Sequence, residues 1–301
     1  MRKLFNRLLA LLKALAKLQE RLDTQAINQS LVLLELRRGN SSAQLHDHEF
    51  KVFSQWGEDG IIQKLTQVVP IANRTFIEFG VEDFLESNCR YLLMKDNWSG
   101  FVVDGSPRNV EKIRNAHFYW KHELTAHCSF ITRENINAVL AHSGFDEDLG
   151  LLSVDIDGMD YHVLKAITGF RPRLLVVEYN AVFGGERNIT VPYDGTFYRT
   201  RAHASNLYFG ASFGAMVSLA TSLGYVLVGT CSAGVNAFFV RKDLENDAIR
   251  AFASTATFTD SKTRESRDAA SNLTFISGTA RLPVIRGLPV LNVDTGAVEP
   301  L

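Results

Sequence analysis

The stretch LLSVDIDGMDYHVL, residues 151–164, places three aspartates within six residues, between an apolar run and a segment with helical spacing. A buried strand that ends in polar residues and is followed by a helix is the repeating unit of a parallel α/β sheet. Repulsion and desolvation make such a cluster costly unless a cation or hydroxyl groups compensate it. The stretch therefore predicts a strand–helix unit with a ligand at the end of the strand.

The same alternation of short apolar runs and helical stretches recurs from Phe53 onward. We predict strands at residues 75–79, 100–104, 126–131, 149–155 and 174–178, and helices at residues 87–94, 108–115, 133–141 and 161–167. Two later apolar runs, at residues 225–229 and 236–241, have no helix between them, which favours an antiparallel hairpin at the sheet edge. The predicted fold is an α/β doubly wound, mostly parallel sheet with an antiparallel edge hairpin.

The composition is that of an ordinary globular protein. Of 301 residues, 46% are hydrophobic and 22% charged, and the net charge of -1 gives no basic excess for nucleic acid. The three cysteines lack metal-type spacing, so neither a disulfide framework nor a zinc site is expected, and a reducing cytoplasm is the simpler location. No apolar run approaches the roughly 20 residues of a membrane span.

The first 23 residues predict a helical extension of a different character. They carry six Lys/Arg against Glu20 and Asp23. Leucines recur at three- and four-residue spacing, as in a coiled-coil seam, at Leu8, Leu11, Leu15, Leu18 and Leu22. Three alternatives follow for residues 1–40: peripheral contact with the inner face of an anionic membrane, a homodimer, or packing against the chain's own domain.

Ligands of open parallel sheets bind beyond the carboxyl ends of the strands. Asp104 ends the second predicted strand, where a carboxylate can accept hydrogen bonds from both hydroxyls of a ribose. Because no GxGxxG sequence is present to hold a pyrophosphate, a nucleoside ligand without phosphates is favoured over a nicotinamide dinucleotide. The alternative is that Asp104 only begins a turn before Gly105 and Pro107.

A family resemblance rests on five segments in order: FSQWGEDGII, FIEFG, VVDGSP, DIDGMDYHVLKAI and VVEYN. They resemble the class I S-adenosylmethionine-dependent methyltransferases, and in particular the FkbM-like family, whose fourth-strand motif reads roughly D-V-E-G-A-E-Y-x-V-L-K. Here residues 155–165 read DIDGMDYHVLK. The resemblance covers about residues 53–241 and implies a Rossmann-like fold that binds S-adenosylmethionine.

The resemblance also implies a set of cofactor residues. Glu78 and Gly80 would form the first nucleotide-binding loop, and Asp104 would hold the ribose. The other expected cofactor residues are Asn88, Gly105, Ser106 and Asp155. The first loop, EFGVED, keeps only the first glycine of the family's glycine-rich loop, which favours the alternative of another nucleotide ligand, such as a nucleotide sugar.

Carboxylates at the ends of the fourth and fifth strands are the expected catalytic and metal-binding groups. Asp155, Asp157 and Glu178, with Asn180 beside them, would share Mg²⁺ or another divalent cation, or hold sugar hydroxyls directly. The related macrocin-type sugar O-methyltransferases bind magnesium with carboxylates from these strand ends, which supports the metal by analogy. Asp160 is expected only to cap the amides of the helix that follows.

The polar segment at residues 193–210 is expected to contribute to the acceptor site, because long loops of this kind are often functional. His203 is one candidate for the base that takes the hydroxyl proton. The expected acceptor-binding residues are Asn180, Tyr193, Arg199, Arg201 and Tyr208. Aromatic and basic side chains together suit the stacking of a sugar and the binding of an anionic group.

The sequence thus predicts a helical extension at residues 1–45, a methyltransferase-like domain at residues 50–243, and an extension at residues 244–301 without an assigned role. The expected activity is O-methyl transfer to a hydroxyl of a sugar, glycan or related secondary-metabolite acceptor, with a small-molecule or glycan partner and no nucleic acid. An alternative of another class is a non-catalytic scaffold, in which a degenerate methyltransferase domain is recruited to a membrane by its basic helix.

Overall fold

The computed structural model describes the backbone of residues 2–301, and the side chains of that range except at positions 2, 4, 8–10, 12, 13 and 16. The α-helices of this range are α1 Arg2–Leu36, α2 Glu58–Val68, α3 Arg90–Asp96, α4 Pro107–Arg114, α5 Ile136–Ala141, α6 Asp160–Ala166, α7 Arg199–Ala202, α8 Phe213–Ser222 and α9 Asp247–Thr255. Short 3-10 helices lie at Leu45–His48, Ala181–Phe183, Lys242–Leu244, Gly278–Ala280 and Leu282–Val284.

The strands are β1 Thr75–Phe79, β2 Ser99–Asp104, β3 Leu124–Cys128, β4 Leu151–Val154, β5 Leu174–Glu178, β6 Ile189–Thr190, β7 Tyr225–Thr230, β8 Asn236–Arg241, β9 Pro289–Asn292 and β10 Val298–Pro300. Seven of them form the main sheet in the order β3-β2-β1-β4-β5-β8-β7. The first five pair in parallel, and β8 pairs antiparallel with both β5 and β7. The predicted Rossmann-like sheet with an antiparallel edge hairpin is confirmed.

Alternate strand residues enter two cores, one on each face of the sheet. Ile77 and Leu152 belong to one buried cluster, whereas Phe76 and Leu151 belong to the other. Both faces are therefore covered, which explains why these strands read as continuous apolar runs. The chain reverses its direction across the sheet between β1 and β4, and this topological switch opens a crevice at the carboxyl ends of the strands.

Several element boundaries differ from the prediction: α5 begins three residues later than predicted, and β4 is shorter at both ends. Helix α3 begins three residues later than expected, because the amides of Asn88 and Cys89 donate to the side chain of Glu78 instead of entering the helix. Strand β3 begins and ends earlier than predicted, and its pairing with β2 finishes at Asp104 beside Cys128.

The C-terminal residues pack onto the domain. Helix α9 contacts β7, and β9 pairs with both β6 and β10 in a small antiparallel sheet. The sequence had not indicated a role for residues 244–301, and this segment also supplies part of the wall of the crevice described below.

Helix α1 confirms the predicted N-terminal helix and has two unlike halves. Its second half packs on the domain through Ile27 and Leu34, and it buries Asp23 and Ser30. The predicted leucine seam of the first half is exposed, at Leu11, Leu15, Leu18 and Leu22, while the Leu8 side chain lies outside the described residues. The second half of the helix therefore packs on the chain's own domain, whereas the leucine seam of the first half does not.

Within the described residues, no helix combines the length and the apolar character needed to cross a membrane. The three cysteines, Cys89, Cys128 and Cys231, are free thiols.

Candidate functional site

The crevice is closed at its base by a backbone contact between the ends of β1 and β4. Gly80 follows β1 with φ +70°, and a Cβ added there would lie 1.7 Å from the carbonyl oxygen of Asp155. Only glycine fits both the left-handed conformation and this approach. Gly80 thus allows the two strand ends to approach each other closely.

Glu78, the acidic residue of β1, is a buried anchor for the following loop. Its carboxylate accepts hydrogen bonds from Ser87 Oγ at 2.5 Å and from the amides of Asn88 and Cys89 at 2.8 and 3.2 Å. Burial raises the pKa of Glu78 to about 7, against the opposing effect of these three donors. Glu78 therefore fixes the loop at residues 87–89, and its side chain also lines the crevice.

Asp104, at the end of β2, has most of its acceptor capacity occupied by the protein. Its oxygens accept from the amides of Glu82 at 2.9 Å and Ser106 at 2.8 Å, and from Asn109 Nδ2 at 3.1 Å. Since a carboxylate offers about four acceptor positions, one remains for a ligand hydroxyl rather than the expected two. Asp104 therefore is more than the start of a turn, and it ties the first and second loops together.

Glu82 occupies the loop position where a glycine was expected, and its backbone is left-handed at φ 47°. Its amide donates a hydrogen bond to the Asp104 carboxylate, and this charge-assisted bond stabilises the left-handed conformation. The hydrogen bond to Asp104 thus accompanies a backbone conformation that a residue other than glycine rarely adopts.

The crevice contains two adjoining cavities. The aromatic cavity, of about 540 Å³, is lined by the ends of β2, β3 and β4. Its walls include Asp104, Gly105, Ser106, Phe130, Ile131, Met159, Tyr193, Phe197 and Tyr198. Aromatic rings and aliphatic groups beside the Asp104 carboxylate are surroundings that suit a nucleoside. The other acidic residues of the lining are Glu82, Asp155, Asp157, Asp194 and Glu265.

The acidic cavity, of about 370 Å³, lies at the ends of β1, β4 and β5. Its charged and amide lining residues are Gln55, Glu78, Glu82, Glu86, Asn88, Asp155, Asp157, Glu178, Asn180, Arg199, Asn236, Glu265 and Arg281. Six residues border both cavities: Gly80, Glu82, Asp155, Asp157, Arg199 and Glu265. The two spaces therefore form one continuous site in which carboxylates outnumber guanidinium groups.

Three of the predicted carboxylates meet between the cavities. Asp155, Asp157 and Glu178 each offer an oxygen, and these oxygens all lie within 4.8 Å of one another. Burial, and then the negative charges of Asp157 and Asp160, hold the pKa of Asp155 well above its usual range. Burial, and then the charge of Asp155, raise the pKa of Glu178 in the same way. The cluster therefore favours a proton, a cation or hydroxyl donors.

Unsatisfied acceptors mark where such donors would bind. Glu178 Oε2 and Asn236 Oδ1 are buried and have no hydrogen-bond partner among the described residues, and both residues line the acidic cavity. They face each other across the antiparallel pair β5–β8. Because an orphaned buried acceptor is costly, this pair suits a ligand that donates hydrogen bonds.

Arg199 is a cation in direct contact with the cluster. Its guanidinium donates to Asp157 at 2.9 Å and stacks over the ring of Phe209 at 3.8 Å from the centroid. Asp157 itself is left-handed at φ 56°, directly before Gly158. The strained turn aims the Asp157 carboxylate at Arg199, so the predicted acceptor residue Arg199 and the predicted metal ligand Asp157 form an ion pair.

Several expected site residues have other roles in the structure. His203 bonds Ser205 through Nδ1, Arg201 stacks on Tyr198, and the Tyr208 hydroxyl donates to the Pro289 carbonyl. None of these three predicted residues lines either cavity. Their side chains are occupied within the loop or with the C-terminal segment.

Asn180 and Asp160 are structural residues at the edge of the site. Asn180 lines the acidic cavity, but its amide donates to the carbonyls of Leu207 and Phe209 and accepts from Val182. Asp160 accepts from the amides of Ile156 and Gly158, in the loop before α6, rather than capping the helix as expected. Both side chains use their polar atoms to hold loops.

The remaining expected residues lie at the site. Tyr193, Gly105 and Ser106 line the aromatic cavity, and Asn88 lines the acidic cavity while donating to Ser153. Sequence reasoning missed Phe130, Asn236, Glu265 and Arg281. Only Asn236 carried a usable signal, because an antiparallel strand beginning there places it opposite the end of β5.

No protein-family model matches the chain, and no curated protein matches it significantly. Similar solved structures include a S-adenosylmethionine-dependent methyltransferase from Clostridium acetobutylicum (9% identity, TM-score 0.40, 71% of this chain and 97% of that chain). The N-terminal domain of EvdMO1, solved with SAH and D-fucose, is 7% identical with TM-score 0.39, over 61% of this chain and 80% of that chain. An O-methyltransferase family protein from Burkholderia thailandensis is 11% identical with TM-score 0.37, over 68% of this chain and 59% of that chain.

Proposed function

We propose that the protein is an S-adenosylmethionine-dependent O-methyltransferase that acts on a hydroxyl of a sugar, glycan or related polyhydroxylated acceptor. The observation that carries the proposal is the junction of the aromatic and acidic cavities at the switch point of the sheet, with Asp155 bordering both. A nucleoside-type cavity that opens directly into a cavity rich in hydrogen-bond acceptors suits group transfer from a nucleoside cofactor to a hydroxylated acceptor.

The cofactor fits the residues present. Asp104 has one acceptor position left for a ribose hydroxyl, and Phe130 and Ile131 supply apolar surface for an adenine ring. The carboxylates between the cavities would favour the positive charge of a sulfonium. S-adenosylmethionine, when bound, supplies an electrophilic methyl group.

The acidic cavity would bind the acceptor. Glu178 and Asn236 present buried acceptors that have no partner in the part of the chain that the structure describes, and a sugar hydroxyl can satisfy them by donating. The attacking oxygen must lose its proton as its bond to the methyl carbon forms and the carbon–sulfur bond breaks. We assign that proton to the Asp155 and Glu178 carboxylates, which replace the predicted His203 as the base.

A divalent cation is a second way to compensate the same carboxylates. Oxygens of Asp155, Asp157 and Glu178 within 4.8 Å of one another are hard ligands of the kind that Mg²⁺ takes. Asp155, Asp157 and Glu178 would hold such an ion, which would supply Lewis-acid stabilisation of negative charge.

The activity is tested by incubating the full chain with methyl-labelled S-adenosylmethionine and a panel of methyl glycosides and nucleotide sugars. Label in an acceptor, with matching release of S-adenosylhomocysteine, is expected. Glu178→Gln should lower kcat roughly 100-fold because proton transfer and acceptor positioning are lost. Glu147→Gln is the matched control, because Glu147 is exposed at the opposite end of the parallel strands. Equal loss in both variants, or transfer unaffected by Glu178→Gln, would contradict the assignment.

A further inference from the structure

The first half of α1 presents an apolar stripe that the domain leaves uncovered. Leu11, Leu15, Leu18 and Leu22 are 57%, 52%, 50% and 50% exposed. Spaced at four, three and four residues, they lie on one face of the helix. Phe5 is 65% exposed in the same half. Such a continuous stripe is not explained by scattered surface leucines.

The same half is strongly basic. Residues 2–22 contain six Lys/Arg and one acidic residue, Glu20, which is a net charge of +5. Glu20 pairs with Lys121 of the domain. Within the described part of the chain, no salt bridge involves Lys3, Arg7, Lys17 or Arg21. The helix therefore offers uncompensated positive charge beside its apolar stripe.

We propose that residues 3–22 of α1 form a docking surface for an anionic lipid bilayer, with the leucine stripe inserted at the headgroup boundary and the helix lying in the plane of the membrane. Basic side chains beside the stripe reach back to lipid phosphates along their aliphatic stems. Charge decides between a bilayer and a second copy of the chain. Two copies would bring two +5 segments together, whereas anionic lipid attracts each basic residue.

The docked helix would be rigidly connected to the domain. Asp23 binds Arg90 at 2.6 Å, and Ser30 Oγ lies 2.5 Å from the Tyr91 hydroxyl. Arg90 also donates to the carbonyl of Leu85 at 2.9 Å, within the loop whose neighbouring residues Glu82 and Glu86 line the acidic cavity. The bilayer would thus hold one wall of the crevice in a defined position. This docking does not depend on the proposed methyl transfer.

Vesicle sedimentation tests the proposal with the full chain. Phosphatidylcholine vesicles with phosphatidylglycerol should sediment the protein, and phosphatidylcholine vesicles alone should not. Lys17→Glu/Arg21→Glu and Leu15→Asn/Leu18→Asn should each weaken the partitioning roughly tenfold or more, since each removes one of the two contributions. The control Leu273→Asn/Arg286→Glu makes one substitution of each kind at exposed residues of the C-terminal segment and should bind as the unmodified chain does.

Light scattering without lipid completes the test. A monomer that binds only anionic vesicles, with binding weakened by raised salt, supports the proposal. The proposal would be overturned if the protein does not sediment with anionic vesicles, or if none of the variants changes its sedimentation. A lipid-free dimer that Leu15→Asn/Leu18→Asn dissociates would overturn it as well.

Discussion

Gly80 and Asp155 touch through their backbones across the topological switch of the sheet, and a Cβ at residue 80 would lie 1.7 Å from the Asp155 carbonyl oxygen. This contact sets the distance between the first loop and the carboxylates that follow β4. It also explains why residue 80 is a glycine.

Gly80→Ala is therefore expected to be destabilising and to abolish cofactor binding. We expect a loss of about 2–4 kcal/mol in the free energy of unfolding, because strain from the positive φ adds to a backbone clash. Gly169→Ala is the matched control, since Gly169 has φ +80° and no described heavy atom within 4 Å of an added Cβ. It should cost about 1 kcal/mol. Urea unfolding compares them, and equal losses would show that the contact with Asp155 is unimportant.

Asp23→Ala is expected to loosen α1 from the domain. It leaves the Arg90 guanidinium without its carboxylate, between the rings of Phe53 and Phe118 at 4.1 and 4.7 Å. Breaking a buried pair from one side costs about 3 kcal/mol or more. Glu20→Ala removes an exposed ion pair three residues earlier on the same helix and should leave the unfolding midpoint nearly unchanged. A small effect of Asp23→Ala would mean that the pair is hydrated in solution.

The buried carboxyl of Glu78 should make stability depend on pH. Its pKa is about 7 in the folded protein against 4.5 ordinarily. Between these values the folded protein keeps a proton that the unfolded chain releases. The contribution of Glu78 to stability is therefore present below pH 4.5 and is lost as the pH rises through 7. Burial raises the pKa of Asp59 to about 6, so the contribution of Asp59 to stability is also lost as the pH rises.

Unfolding free energies of the unmodified chain and Glu78→Gln measure this effect across that pH range. The unfolding free energy of the variant should fall less between pH 4.5 and pH 7 than that of the unmodified chain. The two decreases should differ by a free energy on the order of 3 kcal/mol. Parallel curves would indicate that the donors from Ser87, Asn88 and Cys89 keep Glu78 ionised throughout.

Chelation distinguishes the two ways of compensating the central carboxylates. If a cation binds Asp155, Asp157 and Glu178, chelator should remove transfer activity, Mg²⁺ should restore it, and Asp157→Asn should raise the Mg²⁺ concentration required. Turnover that survives chelation and dialysis would exclude the ion from the mechanism and leave the proton to Asp155 and Glu178.

Much of the main sheet could be predicted because its strands are buried on both faces. Strands β1, β5 and β8 have the predicted bounds, since each is an apolar run between turn-forming residues. The start of α3 could not be predicted from local pattern, because Glu78, ten residues away along the chain, binds the Asn88 amide.

The central carboxylates could also be predicted, because the ends of neighbouring parallel strands share one edge of the sheet. Which loop side chains line the site could not be predicted from the sequence. Tyr208 and His203 have residue types suited to an acceptor site, but tertiary contacts turn them to Pro289 and Ser205. Arg281 reaches the acidic cavity from a C-terminal segment without periodic pattern, so nothing in its surroundings indicated the contact.

The most direct test of the central claim is calorimetric titration of the full chain with S-adenosylmethionine and S-adenosylhomocysteine, with a nicotinamide dinucleotide and a nucleotide sugar as controls. We predict micromolar binding of the first two alone, and its loss in Asp104→Ala, since the last free acceptor position of that carboxylate would hold the ribose. Absence of binding by either sulfur compound, or binding only of the nucleotide sugar, would contradict the account.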